Sequence, residues 1–292
     1  TTELNGCTST GSVQVVLSPV PTAQAGNDIT FCSGQSGTIG DLAVANYNYS
    51  WSPSTGLSGA TQSSTSVTLS NSTSNVVTTY YILTTNLFGC IDKDTVAVNV
   101  KPLPTSEAGA AVSSCNGDTI TIGTSATNGY TYVWTPTVGL SSDTSASTQV
   151  LISNTGSSPS TVYYTVVTTL NGCTTSDSVA VTSNPLPPVT AQATPAAICF
   201  GQSTSITASG ASSYNWVELA NPSVSIGTGS TLSVTPQTTT TYIVEGTSAA
   251  NCINSDTITI TVNPLPTVQI NSSSTSLCNG DTLTLTASGA TN

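Results

Sequence analysis

One pattern recurs along this chain, and the recurrence limits the folds open to it more than any other feature. A cysteine, a glycine-containing turn and an alternating apolar run occur together four times, beginning at Cys32, Cys115, Cys199 and Cys278. Successive copies are 79 to 84 residues apart. Self-similarity at a fixed period is typical of arrays of small structural units. The sequence therefore predicts a row of similar modules.

Further landmarks follow the first cysteine of the first three copies in a constant order. A tryptophan comes first, then a tyrosine-containing strand, then a second cysteine in a turn, and each copy closes on two prolines separated by one residue. The tryptophans are Trp51, Trp134 and Trp216, the tyrosines are Tyr81, Tyr164 and Tyr242, and the second cysteines are Cys7, Cys90, Cys173 and Cys252. We predict three complete modules, named module 1 (19–102), module 2 (103–185) and module 3 (186–266). Residues 1–18 are expected to end a further module, and residues 267–292 to begin one.

The fold class predicted for each module is all-β. About seven short segments with period-two alternation are separated by Gly, Asn, Ser and Pro turns, and no apolar stripe with a 3.6-residue period indicates a helix. This pattern is typical of an immunoglobulin-like β-sandwich, which buries aromatic residues on its central strands. The tryptophans and tyrosines named above are therefore expected in the cores, although an exposed Trp–Tyr pair could stack on a sugar. Stiff Pro-Leu-Pro linkers predict that tandem modules form an extended rod.

Charged residues are scarce and mostly acidic. The chain has 2 Lys+Arg, 13 Asp+Glu and no His, for a formal net charge of −11. So few cations argue against a nucleic-acid partner and against adsorption to anionic lipid, and the absence of a long apolar run argues against membrane insertion. Without histidine there is no Ser-His-Asp triad and no imidazole metal ligand. We therefore expect neither enzymatic activity nor a cofactor.

The order of the motifs resembles a known family. The stretches Trp51-Ser-Pro-Ser-Thr-Gly-Leu-Ser and Trp134-Thr-Pro-Thr-Val-Gly-Leu-Ser, set between a Cys-x-Gly turn and a closing Pro-Leu-Pro that follows Asn in modules 2 and 3, resemble the tandem Ig-like/PKD-like repeats of Bacteroidetes surface proteins. Module 3 departs from the pattern at Trp216-Val-Glu-Leu-Ala. The resemblance implies a large adhesin or gliding-motility-type filament, exported by the type IX secretion route to the cell surface.

Eight cysteines without a His or a CxxC pair indicate disulfides in an oxidising compartment. Two pairings stay open. Pairing within modules, the commoner arrangement in repeat domains, gives Cys32–Cys90, Cys115–Cys173 and Cys199–Cys252. In an immunoglobulin-like strand order, however, the two cysteines of a module lie at opposite ends, about 25 Å apart, while the ends of successive modules meet. This second scheme gives Cys32–Cys173 and Cys115–Cys252, and leaves Cys7, Cys90, Cys199 and Cys278 for neighbouring modules.

The resemblance also implies O-glycosylation, because Bacteroidetes modify hydroxyls in a short Asp-(Ser/Thr)-apolar code. The hydroxyls in matching positions are Thr95, Thr119, Ser178, Thr257 and Thr282. The same pattern is expected wherever a strand begins after a turn, since Asp favours turns and Thr and Ile favour strands. Attached glycan would help to solubilise a rod that carries little charge.

Three functions follow as hypotheses. The favoured one is a structural stalk or filament segment of a secreted adhesin, whose partners are neighbouring modules or copies of itself. The second is recognition of surface glycans, with Tyr47 and Tyr49 as best candidates and Tyr130 and Tyr132 as their equivalents. The third is a spacer in a secreted polysaccharide-degrading enzyme.

Overall fold

The structure, a computed structural model, describes residues 1–289. Every regular element in this range is a β-strand, as expected from the period-two alternation and the many β-branched residues. The strands are β1 (Thr2–Leu4), β2 (Cys7–Ser9), β3 (Ile29–Cys32), β4 (Ser36–Gly40), β5 (Asn48–Ser52), β6 (Ser64–Thr68), β7 (Val77–Leu87), β8 (Cys90–Lys101), β9 (Val112–Cys115), β10 (Thr119–Gly123), β11 (Thr131–Thr135), β12 (Ser147–Leu151), β13 (Ser160–Leu170), β14 (Cys173–Asn184), β15 (Thr190–Thr194), β16 (Ala197–Cys199), β17 (Thr204–Ser209), β18 (Ser213–Glu218), β19 (Asn221–Thr228), β20 (Thr231–Val234), β21 (Thr240–Thr247), β22 (Ile253–Asn263), β23 (Gln269–Ser272) and β24 (Leu285–Ser288).

Modules 1 and 2 have the same two-sheet topology. In module 1 one sheet has the order β3-β8-β7-β5 and the other pairs β4 with β6. In module 2 the corresponding sheets are β9-β14-β13-β11 and β10-β12. The first strand of each large sheet runs parallel to the last strand of the module, so that Cys32 lies opposite Lys101 and Cys115 lies opposite Asn184. This register places the first cysteine beside the residue that leads into the linker.

Module 3 is built from more strands than the others. Its sheets are β16-β22-β21-β18-β19 and β15-β17-β20, which makes eight strands against six in modules 1 and 2, where the sequence predicted about seven. The additional β19 lies where the sequence departs from the Gly-Leu-Ser loop of the first two modules. The additional β15 pairs with β17, whereas the equivalent segments of modules 1 and 2 lie outside any strand ladder.

Each module encloses its own apolar core, because inward side chains alternate along the long strands. In β8 the buried side chains of Val96, Val98 and Val100 point into the first core. The three cores are separate clusters around Trp51, Trp134 and Trp216. The fold is therefore a tandem arrangement of sandwiches, in agreement with the predicted fold class.

The terminal segments differ from the modules. Strands β1 and β2 form a hairpin, and β23 pairs with β24. Val13, Val15 and Leu17 repeat the alternation of β8 at the same distance from a second cysteine, but all three are exposed.

Candidate functional site at the module junctions

A tight turn holds the first cysteine of each module at the end of its strand. After Cys115 the chain reverses, with the Asp118 N–H donating to the Cys115 carbonyl at 3.1 Å, and Gly117 adopts a φ of +92° in that turn. The Asp118 carboxylate accepts from the Cys115 N–H at 3.0 Å and from the Ser114 hydroxyl. Hydrogen bonds from Ser114 and then Cys115 lower the pKa of Asp118. Gln35, Gln202 and Asp281 accept from Cys32, Cys199 and Cys278 in the same way.

In modules 1 and 2 the second cysteine follows a two-residue turn at the opposite end of the module, whereas in module 3 Cys252 lies in the longer loop between β21 and β22. Asn171 and Gly172 have φ values of 51° and 85°, as a type I′ hairpin requires, and Cys173 then opens β14. In module 1 the Asn is replaced by Phe88, which adopts a φ of 49° with its ring exposed. The two cysteine classes of the repeat therefore occupy opposite ends of each sandwich.

Both disulfides in the described part of the chain join successive modules. Cys32 bonds to Cys173 and Cys115 bonds to Cys252, with Cα–Cα distances of 5.6 and 5.5 Å, inside the usual range. These are the pairs of the second scheme. The alternative pairs within modules, Cys32–Cys90, Cys115–Cys173 and Cys199–Cys252, are wrong in this structure because each contains a cysteine that is bonded elsewhere. Cys7, Cys90, Cys199 and Cys278 have no disulfide partner within residues 1–289.

Polar contacts hold the linkers against the module that follows. The Thr175 hydroxyl donates to the Pro104 carbonyl at 2.8 Å, and the Asn254 amide donates to the Pro187 carbonyl at 3.0 Å. At the first junction Lys101 Nζ also donates to the Asn171 carbonyl at 2.8 Å. This contact was not predicted, although the scarcity of cations makes Lys101 conspicuous in the sequence.

A carboxylate clasp connects the first segment of each module to its last strand. The carboxylates of Asp94, Asp177 and Asp256 accept from the N–H groups of Ala25, Ala108 and Ala191, each at 2.8 Å. In modules 1 and 2 these bonds satisfy backbone donors that no strand ladder satisfies. The clasp was not predicted, yet its signal is in the sequence, because an Asp comes four residues after Cys90, Cys173 and Cys252.

The clasp residues belong to the Asp-(Ser/Thr)-apolar triplets that were predicted glycosylation sites. The same carboxylates also accept from the N–H of the next residue, which is Thr95, Ser178 or Thr257. In the other two triplets, Asp118 and Asp281 accept from cysteine N–H groups in the turns. Each Asp therefore has a structural role. All five hydroxyl residues, Thr95, Thr119, Ser178, Thr257 and Thr282, are exposed.

The repeated aromatic residues lie in the cores. Trp51, Trp134, Trp216, Tyr81, Tyr164 and Tyr242 are all buried. The Trp134 indole N–H donates to the Ser145 carbonyl at 2.8 Å, and the Tyr164 hydroxyl donates to the Val138 carbonyl at 2.7 Å. Burial raises the pKa of Tyr81 and Tyr164, and burial followed by the charge of Glu218 raises that of Tyr242. These rings support the sandwiches and are not free to stack on a ligand.

The partly exposed tyrosines lie beside the loop between the second and third strands. Tyr47 and Tyr49 have ring centroids 6.2 Å apart and line a cleft of about 440 Å³ that also includes Asp41 and Gln24. The Tyr49 hydroxyl accepts from the Val44 N–H at 2.7 Å, so that ring also fixes its own loop. Tyr130 and Tyr132 form the equivalent pair in module 2, at 6.5 Å.

The described part of the chain has neither a metal-binding cluster nor a membrane-spanning helix. Within residues 1–289 no group of three or more His, Cys, Asp or Glu side chains is arranged to hold a metal ion. No helix in the described residues has the length and apolarity needed to cross a bilayer.

Comparison with known proteins identifies one module at the level of sequence. Residues 185–264 match a family described as "Ig-like domain CHU_C associated", over nearly the range predicted for module 3. This match agrees with the two-sheet topology described above. The chain is a tandem array of immunoglobulin-like β-sandwiches. No curated protein is significantly similar to it in sequence.

Solved structures similar to this immunoglobulin-like array are distant from it in sequence. The N-terminal eight Ig domains of Down syndrome cell adhesion molecule share 13% identity at a TM-score of 0.42, with 91% of this chain covered but only 40% of that one. An I-band fragment of titin shares 11% identity at a TM-score of 0.41, covering 82% and 96% of the two chains. Extracellular domains 3–5 of Drosophila OTK share 10% identity at a TM-score of 0.33, covering 84% and 96%.

Proposed function

We propose that this chain is a non-catalytic stalk segment of a secreted surface adhesin, in which successive sandwiches are clamped end to end. One observation carries the proposal. Both disulfides join the C-terminal end of one module to the N-terminal end of the next, where they constrain the relative placement of modules. A cross-link inside a sandwich would stabilise that domain and leave the junction free.

The surface area of the chain supports an elongated shape. The solvent-accessible area is 17733 Å². A compact globule of 29.3 kDa would expose about 11,500 Å². An end-to-end arrangement of the modules, together with the exposed terminal segments, would account for this excess.

The disulfides also support an extracellular location. Such bonds persist in oxidising compartments and are rare in the cytosol. A surface rich in Thr, Ser and Asn with only two cationic side chains suits a passive spacer, since it offers little electrostatic attraction to anionic macromolecules.

Small-angle scattering of the oxidised full-length chain tests the stalk proposal. Three modules, each roughly 35 Å long, give a rod of about 105 Å, for which we expect a radius of gyration near 32 Å. A compact protein of 292 residues would have a radius of about 19 Å. A measured value near the compact one would contradict the proposal. The Cys32→Ser/Cys173→Ser variant should broaden the distribution of interatomic distances, because hydrogen bonds alone then hold one junction.

Recognition of glycans is the second candidate function, and the Tyr47 cleft is the observation that favours it. An aromatic face beside a carboxylate and an amide suits a neutral sugar, because the ring packs on C–H groups while the polar groups bind hydroxyls. Saturable binding of the full-length chain to a glycan array, lost in Tyr47→Ala but kept in the exposed-tyrosine control Tyr163→Ala, would favour this function over a passive stalk.

We propose that Thr95, Ser178 and Thr257 carry O-linked glycans. Their support is exposure on the outer face of the last strand of each module, together with the Asp that precedes each one. Peptides from the chain made in its native host should be heavier than the same peptides from a host without the pathway. An Asp177→Glu variant should lose the added mass at Ser178 alone. Unmodified peptides at all three positions in the native material would refute the proposal.

A further inference from the structure

The two disulfides enclose overlapping segments of the chain. Cys32–Cys173 spans 141 residues and Cys115–Cys252 spans 137. Cys115 lies inside the first loop, and Cys173 lies inside the second. The loops therefore share 115–173, which contains most of module 2. Overlapping loops behave differently under tension from loops that follow one another.

Three covalent routes run between the two module junctions, one marked by the Cys32–Cys173 disulfide and the other by Cys115–Cys252. The first leads forward from Cys32 to Cys115 through 83 residues and includes most of module 1. The second leads backward from Cys173 to Cys115 through 58 residues of module 2. The third leads forward from Cys173 to Cys252 through 79 residues and includes most of module 3. Because all three share the same two ends, the junctions can separate only as far as every route allows.

The first route is short while module 1 stays folded. Cys32 and Lys101 are paired neighbours in the β3–β8 ladder. The strands between them therefore start and end at nearly the same point and add almost nothing to the end-to-end length of this route. The remaining 14 residues, from Lys101 to Cys115, reach at most about 50 Å. The junctions cannot move farther apart unless module 1 opens.

The third route has nearly the same limit. The Asn254 amide contacts the Pro187 carbonyl at 3.0 Å, so module 3 returns the chain close to where it entered. The 14 residues from Cys173 to Pro187 again reach about 50 Å. Strand β14 alone, with 12 residues, already spans about 40 Å along module 2. Both outer routes are therefore almost fully extended in the folded chain.

The segments outside the two junctions also run lengthwise along their modules. Residues 19–32 lead along module 1 to Cys32, and residues 252–266 lead along module 3 from Cys252. Strand β22 is a single extended strand over most of the latter segment. A pull on the chain ends reaches the junctions without passing through the inner strands of either outer module.

We propose that the array bears tension along its axis, and that the disulfides place its three modules in parallel between the junctions. This inference rests on the stalk function and adds a mechanical role to it. In a chain without cross-links the modules would lie in series, so opening one module would lengthen the rod by most of the contour length of that module. In the cross-linked chain, opening one or two modules lengthens the rod only slightly, because another taut route remains.

Single-molecule stretching of the full-length chain, held by peptide tags at both termini, tests the proposal. Under reducing conditions we expect three separate unfolding steps, each releasing roughly 80 residues, or about 290 Å less the folded length of a module. Under oxidising conditions we expect one large step, limited by the 58-residue route to about 210 Å less the distance between junctions. The final length should fall from about 1,050 Å when reduced to about 480 Å when oxidised.

The Cys115→Ser/Cys252→Ser variant gives a matched comparison under oxidising conditions. With Cys32–Cys173 alone, modules 1 and 2 are excluded from the path and module 3 is left in series. This variant should show one step of module size, at the force at which module 3 opens in the reduced chain. Three module-sized steps from the oxidised natural chain would overturn the proposal, even if scattering shows a rod. A compact scattering radius would instead refute the stalk itself.

Discussion

Replacing Trp134 by alanine should lower the free energy of unfolding of module 2 by about 3–5 kcal/mol. The indole is 1% exposed and lies in a cluster with Tyr164, Val166 and Val181. Its removal leaves a large cavity and deprives the Ser145 carbonyl of its donor at 2.8 Å. Hydrogen exchange of module 2 peptides in the full-length chain measures the loss for this module separately.

Tyr163→Ala is the control for the tryptophan variant. Tyr163 lies in the same module on β13, but its side chain is 67% exposed. We expect its loss to change stability by no more than about 0.5 kcal/mol. If Trp134→Ala and Tyr163→Ala reduced protection equally, the tryptophan would not be the centre of the core.

Gly123→Ala should destabilise module 2 by a similar amount, about 3–5 kcal/mol, through a different mechanism. Gly123 has a φ of +81°, where a β-carbon is unfavourable. That carbon would also lie 2.2 Å from the Ala146 carbonyl oxygen and 2.9 Å from Cζ2 of Trp134. Neither the backbone nor the packed indole can move away without disturbing the core.

Gly172→Ala separates the conformational cost from the steric one. Gly172 has a nearly equal φ of +85°, but a β-carbon there would meet no atom within 4 Å. We expect a loss of about 1–2 kcal/mol, which reflects the backbone conformation alone. Chemical denaturation of both variants, followed by hydrogen exchange in module 2, should show the difference. Equal losses would mean that the space around Gly123 relaxes freely.

The predicted effects place stability and mechanics in different parts of the molecule. Trp134 and Gly123 act inside one sandwich, whereas the disulfides act between sandwiches. A core variant should therefore weaken one module without breaking the covalent routes around it. Under oxidising conditions an array with one weakened module would still reach only the length set by its other routes.

Much of the fold could be predicted because its signals are local and repeated. Alternating valines, glycine turns and one tryptophan per copy specify strands, reversals and a core within about 80 residues. The number of strands per module was predicted less accurately. The first segments of modules 1 and 2 donate hydrogen bonds to carboxylates and do not pair with a neighbouring strand. That choice depends on where Asp94 and Asp177 lie after folding.

The sequence by itself determined the repeat, the all-β class and the residues that fill each core, since these follow from spacing and side-chain chemistry along one module. Only the tertiary structure decided which cysteines pair. The positions of the cysteines along the chain are compatible with both pairing schemes. The choice between the schemes depends on which module ends meet in space. Parallel pairing of the first and last strands puts Cys32 at one end of its module, and the hairpin puts Cys173 at the facing end of the next. The bond forms between modules because a disulfide requires its two Cα atoms to lie within about 7 Å, and the junction is where that condition is met.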